Sequence, residues 1–156
     1  MKQFLIAILS LLISLSLYPQ DNSKATKRQK QFNVKSNLAI QGYDPVAYFK
    51  QGKAVKGKKE FAVNAEGIIY HCSSAANKEL FLKNYSAYEP QYGGWCAYAM
   101  GNSGEKVEIN PETFKIIDGK LYLFYNAYFN NTLNSWNKNE KVLKAKADSN
   151  WQNFYK

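Results

Sequence analysis

The sequence predicts an α+β fold: a small single domain with two β-hairpins, flanking helices and a C-terminal helical segment. Three observations carry that prediction. Short runs rich in strand-forming residues meet at Asn64-Ala65-Glu66-Gly67 and again at Asp118-Gly119, turn sequences that close antiparallel hairpins. Beyond Asn126 the apolar residues Tyr128, Phe129, Leu133, Trp136, Val142, Leu143, Ala147, Trp151 and Phe154 read as helix anchors. The chain has 156 residues, and the part beyond its apolar N-terminal segment suffices for one core but not for two.

Taken in order, the first element is a targeting segment. Lys2 precedes an apolar run from Phe4 to Leu17, interrupted only by Ser10, Ser14 and Ser16. That length is short for a membrane span and suits a secretory signal peptide over residues 1–20. The expected location is periplasmic or secreted, with an uncleaved anchor as the competing reading. Residues 21–37 are rich in Lys, Asn, Gln and Ser, and read as a flexible polar leader. The domain proper then runs over 38–156.

Within it, Gly42-Tyr43-Asp44-Pro45-Val46-Ala47-Tyr48-Phe49 reads as a turn entering a short helix. Asp44 serves as N-cap and Pro45 takes the first helical position. A charged loop from Gly52 to Lys59 leads into strands at 60–64 and 67–72. Alternation there places Ile68, Tyr70 and Cys72 on one face, with Ile69 and His71 on the other. Ser73 or Ser74 caps a helix reaching about residue 85, with Leu80, Phe81 and Leu82 as its apolar stripe. A loop at Gly101-Asn102-Ser103-Gly104 separates this half from strands at 113–117 and 120–125. The tail reads as two helical pieces broken near Asn137-Lys138-Asn139.

The formal net charge is +9, with lysines clustered in the leader and at Lys53, Lys56, Lys58 and Lys59. A single arginine, Arg28, is a poor endowment for bidentate phosphate or base recognition, and an exported chain seldom meets nucleic acid, so no nucleic-acid partner is expected. Attraction of a basic surface to an anionic envelope is the weaker membrane alternative. No phosphate-cradling loop, nucleophile elbow or dinucleotide fingerprint occurs. Asp44, Glu89 and Asp118 fit cap and turn roles, and no catalytic residue is assigned.

The segment Gly93-Gly94-Trp95-Cys96 sits inside a tyrosine cluster and is the richest in chemistry. Two cysteines, Cys72 and Cys96, in an oxidising compartment read first as a disulfide contributing about 3 kcal/mol. Separate buried thiols are the second reading. The third is a metal pair. If the chain turns helical after Gly94, Cys96 and Met100 stand on one face as soft donors suited to Cu(I), joined by Cys72 or by His71, the only histidine. With two or three such donors, a closed structural zinc site is disfavoured. Tyr43, Tyr48, Tyr92, Trp95 and Tyr98 offer a rival: an aromatic surface docking an envelope protein or a ligand.

Several of these motifs together resemble the exported bacterial YHS-domain proteins. The similarity rests on Gly42 to Phe49, on Tyr70 with Ser73, Ser74 and Asn77, and on Tyr88-x-Pro90-Gln91-Tyr92-Gly93-Gly94-Trp95-Cys96-Ala97. It continues through Asp118-Gly119-Lys120-Leu121-Tyr122-Leu123 and Ala145-x-Ala147-Asp148-x-Asn150-Trp151, so that it spans about residues 40–151. The resemblance implies a small metal-binding module of the kind appended to copper and heavy-metal transport ATPases. The multi-cysteine pattern of the related metal sensors is absent here, so only Cys96, with Tyr70 and Ser73 as framework, carries over. The expectation is therefore an exported, non-enzymatic accessory protein binding copper or zinc at Cys96. Its alternative is a docking module with an aromatic surface and a structural Cys72–Cys96 bond.

Overall fold

A computed structural model describes residues 22–155; the signal segment read at 1–20 lies outside them. The architecture is α+β, with seven α-helices and three small sheets among the described residues. Helix α1 (Asn22–Gln31) is followed by strands β1 (Val34–Lys35) and β2 (Leu38–Ala39), then the short α2 (Ala47–Lys50). Strands β3 (Ala62–Ala65) and β4 (Ile68–His71) form the first hairpin, closed by Glu66 and Gly67 at positive φ as its two-residue turn requires. In the resulting sheet the order is β1-β2-β4-β3, with β2 and β4 parallel through Leu38 and Ile69.

Helices α3 (Ala75–Lys83) and α4 (Tyr85–Tyr88) come next, and Ser74 caps α3 by accepting from the Asn77 amide at 3.1 Å. Helix α5 (Ala97–Asn102) precedes the second hairpin, β5 (Asn110–Ile117) and β6 (Lys120–Phe124), which turns on Asp118-Gly119 as the sequence predicts. A third hairpin, β7 (Asn126–Ala127) with β8 (Asn130–Asn131), occupies a stretch whose apolar residues read as helix. Helices α6 (Thr132–Lys138) and α7 (Glu140–Gln152) then close the chain on either side of Asn139, at the expected break.

Two apolar clusters form the interior. The larger gathers Val46, Tyr48, Ile68, Tyr70, Cys72, Phe81, Cys96, Leu121 and Leu123; the smaller gathers Tyr92, Met100, Tyr122, Phe124, Trp136, Leu143 and Ala147. Asp44 is buried between elements, yet its carboxylate is fully engaged. Its Oδ1 accepts from the amides of Val46 (2.8 Å) and Ala47 (3.3 Å), so the expected cap is formed. Its Oδ2 accepts from Ser73 N, Ser73 Oγ and Asn77 Nδ2 at 2.5–2.7 Å. One acid thus ties α2 to the β4–α3 junction, which is why a buried charge is tolerated here.

The leader departs from expectation. Residues 22–31 are a docked helix rather than a flexible tether. Arg28 donates to Glu89 Oε1 at 2.5 Å, and the same oxygen accepts from the Tyr70 hydroxyl at 2.8 Å. Gln29 donates to the Gly67 carbonyl at 2.9 Å, and Trp95 Nε1 donates to the Gln31 carbonyl at 2.7 Å. Ala25, Arg28, Gln29 and Phe32 lie three and four apart and so share one helix face. An alanine, an arginine stem and a glutamine do the packing that an apolar stripe would announce in a sequence.

Candidate functional site

The groove that stands out is built by the chain entering the domain. Its lining combines Val34, Leu38, Ile40, Ile69 and Ile109 with the polar groups of Lys35, Gln41, Lys59, His71 and Glu108, around a volume of about 950 Å³. That is the size range of small-molecule sites. Its floor is locally strained. Ile40 and Gln41 adopt φ of 51° and 50°, followed by Gly42 at 80°. A left-handed conformation is rare for a β-branched residue and costs roughly 1–2 kcal/mol. Hydrogen bonds hold the turn in place: Tyr43 N donates to Ile40 O, Lys56 Nζ to Gln41 O and Gln41 Nε2 to Ile109 O, each at 3.0 Å.

Strand alternation puts His71 on this groove while Tyr70 and Cys72 point into the core, as the sequence predicts. A Cβ added to Gly42 would lie 3.5 Å from His71 Nδ1 and from Leu38 Cδ2, an ordinary contact distance, so it is the φ of 80° rather than space that asks for glycine beside the ring. Burial, reinforced by the charge of Lys59, lowers the His71 pKa below its usual value of 6.5. The ring is therefore neutral at neutral pH, with one donor and one acceptor nitrogen. Among the described residues it has no hydrogen-bond partner, and Lys35 and Lys59 have no ion-pair partner. Glu108 by contrast already accepts from Asn33 Nδ2 at 3.2 Å.

The residues singled out from the sequence are distributed otherwise. Cys72 and Cys96 are both free and fully buried, so the expected disulfide is not formed. Cys96 is engaged elsewhere: its Sγ accepts from the Tyr125 amide at 3.3 Å and lies 3.4 Å from Thr132 Oγ1. The threonine hydroxyl donates to the Tyr125 carbonyl at 2.8 Å, which leaves the thiol proton to point at Thr132 Oγ1. Cys96 thus joins the start of α5 to the β6–α6 junction. Burial, together with the negative charge of Asp44, pushes the Cys72 thiol up to about 12, an inert group.

Met100 packs in the smaller cluster with Trp136 and Leu143, whereas Cys96 and Cys72 belong to the larger one and His71 faces the groove. Among the described residues no group of three or more His, Cys, Asp or Glu side chains is placed to hold a metal ion.

The aromatic set is also dispersed. Tyr48 and Tyr92 are core residues whose hydroxyls donate to the Pro111 carbonyl and to Asp148 Oδ1, each at 2.8 Å. Trp95 lies against α1, Tyr98 packs on both clusters and Tyr43 reaches Glu112 at 3.2 Å. These five make no common surface, because a tyrosine with a hydroxyl partner serves as core as readily as recognition. The Gly93-Gly94 corner is likewise a packing joint. A Cβ on Gly93 would stand 2.8 Å from Phe32 Cδ1 and 2.9 Å from Trp151 Cη2.

Comparison of the chain with protein-family models, with curated proteins and with solved structures finds no match. Apart from His71, the groove residues escape sequence reasoning. Their one signal is the apolar Leu38-Ala39-Ile40 run ahead of Gly42, at the point where the sequence places the start of the domain.

Proposed function

We propose that this chain is an exported, non-enzymatic module of the YHS type that docks an amphipathic anion, an aliphatic chain ending in a carboxylate, beside His71. One observation carries the reading: five aliphatic side chains line a groove that also presents two lysines without ion-pair partners and a neutral imidazole without a hydrogen bond, among the described residues. The aliphatic lining takes the hydrocarbon, Lys35 and Lys59 attract the head group, and the imidazole N–H donates to it. Strain held at Ile40 and Gln41 fits a binding site, where such conformations concentrate. A soft-metal site for copper or zinc centred on Cys96 would instead require that thiol to surrender two hydrogen bonds and open a fully buried position.

The test uses the chain's only histidine as its reporter. Titrating octanoate below its micelle concentration should shift the His71 imidazole NMR signal saturably and raise its pKa, since a nearby anion favours the protonated ring. Lys35→Glu with Lys59→Glu should weaken that binding roughly tenfold, two exposed ion pairs being lost. An imidazole signal unmoved by octanoate at millimolar concentration would end this reading.

A further inference from the structure

The third hairpin is small and its tip is anomalous. Strands β7 and β8 pair Asn126 with Asn131 and Ala127 with Asn130, leaving Tyr128 and Phe129 as a two-residue loop. Both adopt left-handed backbone, at φ 50° and 62°. Two consecutive positive φ angles define a turn that Asn-Gly fills with little strain and that two aromatic residues fill at a cost. The side chains recover nothing from the domain: Tyr128 is 92% and Phe129 112% exposed. The fold therefore tolerates backbone strain to hold two aromatic rings outward at the end of a narrow hairpin.

The surroundings say what those rings meet. Asn130, exposed, and the half-buried Asn131 follow the tip and bring amide groups close to it. The chain as a whole carries a net charge of +9, and no carboxylate occurs in sequence between Asp118 and Glu140. Two rings make a wedge rather than a broad apolar face, and tyrosine with phenylalanine is a pairing that partitions to the boundary between head groups and acyl chains. We propose that the Tyr128-Phe129 tip inserts into the interface of an anionic lipid bilayer, docking the domain peripherally. A two-residue tip reaches one leaflet only, and among the described residues no helix is long and apolar enough to cross a membrane. The rings enter, the asparagines stay at head-group level, and the basic excess draws the domain to the surface. This inference is independent of the groove.

The experiment reads the tip itself, so any anchoring by the N-terminal apolar run is common to every sample. Cys72 and Cys96 are fully buried, so a thiol introduced by Asn130→Cys in the full chain accepts an environment-sensitive fluorophore selectively. With vesicles of equal phosphatidylglycerol and phosphatidylcholine, its emission should rise and shift blue, brominated acyl chains should quench it, and salt should weaken the response. The same label at Ala76→Cys on α3 should stay unchanged. In the Tyr128→Asn, Phe129→Gly background the lipid-buried fraction should fall roughly tenfold, while Tm is unchanged or raised because Asn-Gly suits the turn.

An equal response in that background would overturn the proposal, as would a wild-type tip that ignores vesicles. So would a response that tracks protein concentration without lipid, since the rings would then be meeting a second copy of the chain.

Discussion

At the scale of single residues, His71 governs how stability responds to mild acid. Its folded pKa lies below 6.5, so between that lowered value and 6.5 the unfolded chain binds more protons than the folded one. The contribution of the neutral ring is thus fully present above pH 6.5 and is lost as pH falls through the folded pKa. Glu66 and Glu140, whose pKa values are lowered by hydrogen bonds to Lys24 and Lys115, act in a separate window below 4.5. His71→Gln should therefore flatten the pH dependence of Tm between 5 and 7 while leaving the acid limb in place, as a series of thermal melts would show. An unchanged slope in that window would mean the ring is solvated like a free imidazole. Cys72 and Cys96 illustrate the opposite case, in which a reactive side chain is silenced by burial. In denaturant without reductant, a thiol reagent should titrate both; in the native state at pH 8 it should titrate neither. A disulfide would give none in either condition.

At the scale of elements, close approach decides where glycine is required. Gly93 has φ 60°, and a Cβ there would press on Phe32 and Trp151, joining strain to collision. At Gly101 a Cβ would meet the Leu143 carbonyl oxygen at 2.4 Å, so α5 and α7 cross where only hydrogen fits. Gly93→Ala and Gly101→Ala should each destabilise the fold by about 2 kcal/mol or more, measured by urea unfolding. A loss below about 0.5 kcal/mol in either would show that the packed elements give way freely.

Elements also show what a sequence conceals. Both hairpins with glycine in their turns were legible, because Glu66-Gly67 and Asp118-Gly119 supply the positive φ that closes such loops. The third was not, since Tyr128 and Phe129 carry no turn signal and resemble helix anchors. Helix α1 carries no sequence signal for a related reason: the residues that dock it are Ala25, Arg28 and Gln29, whose composition reads as solvent-facing.

At the scale of the whole molecule, the α+β class and the inward set Ile68, Tyr70 and Cys72 were legible, because local alternation and turn chemistry agree with the final packing. The candidate site was not. Its lining comes from side chains of the segment between Asn33 and Gln41, from Lys59, from Ile69 and His71, and from Glu108 and Ile109, brought together by the parallel pairing of β2 with β4 and by the bond from Gln41 to Ile109. No local motif encodes that convergence. Cys96 is an internal joint, since a thiol following two glycines and an indole serves packing as well as chemistry.

The two ends of the described chain close on each other. Phe32 packs on Trp151 with ring centroids 6.1 Å apart, and Lys27 reaches the Tyr155 carbonyl at 2.7 Å. The opening helix accordingly cannot finish seating until residues 151–155 are in place, so a chain cut back before Trp151 should leave it loosely held.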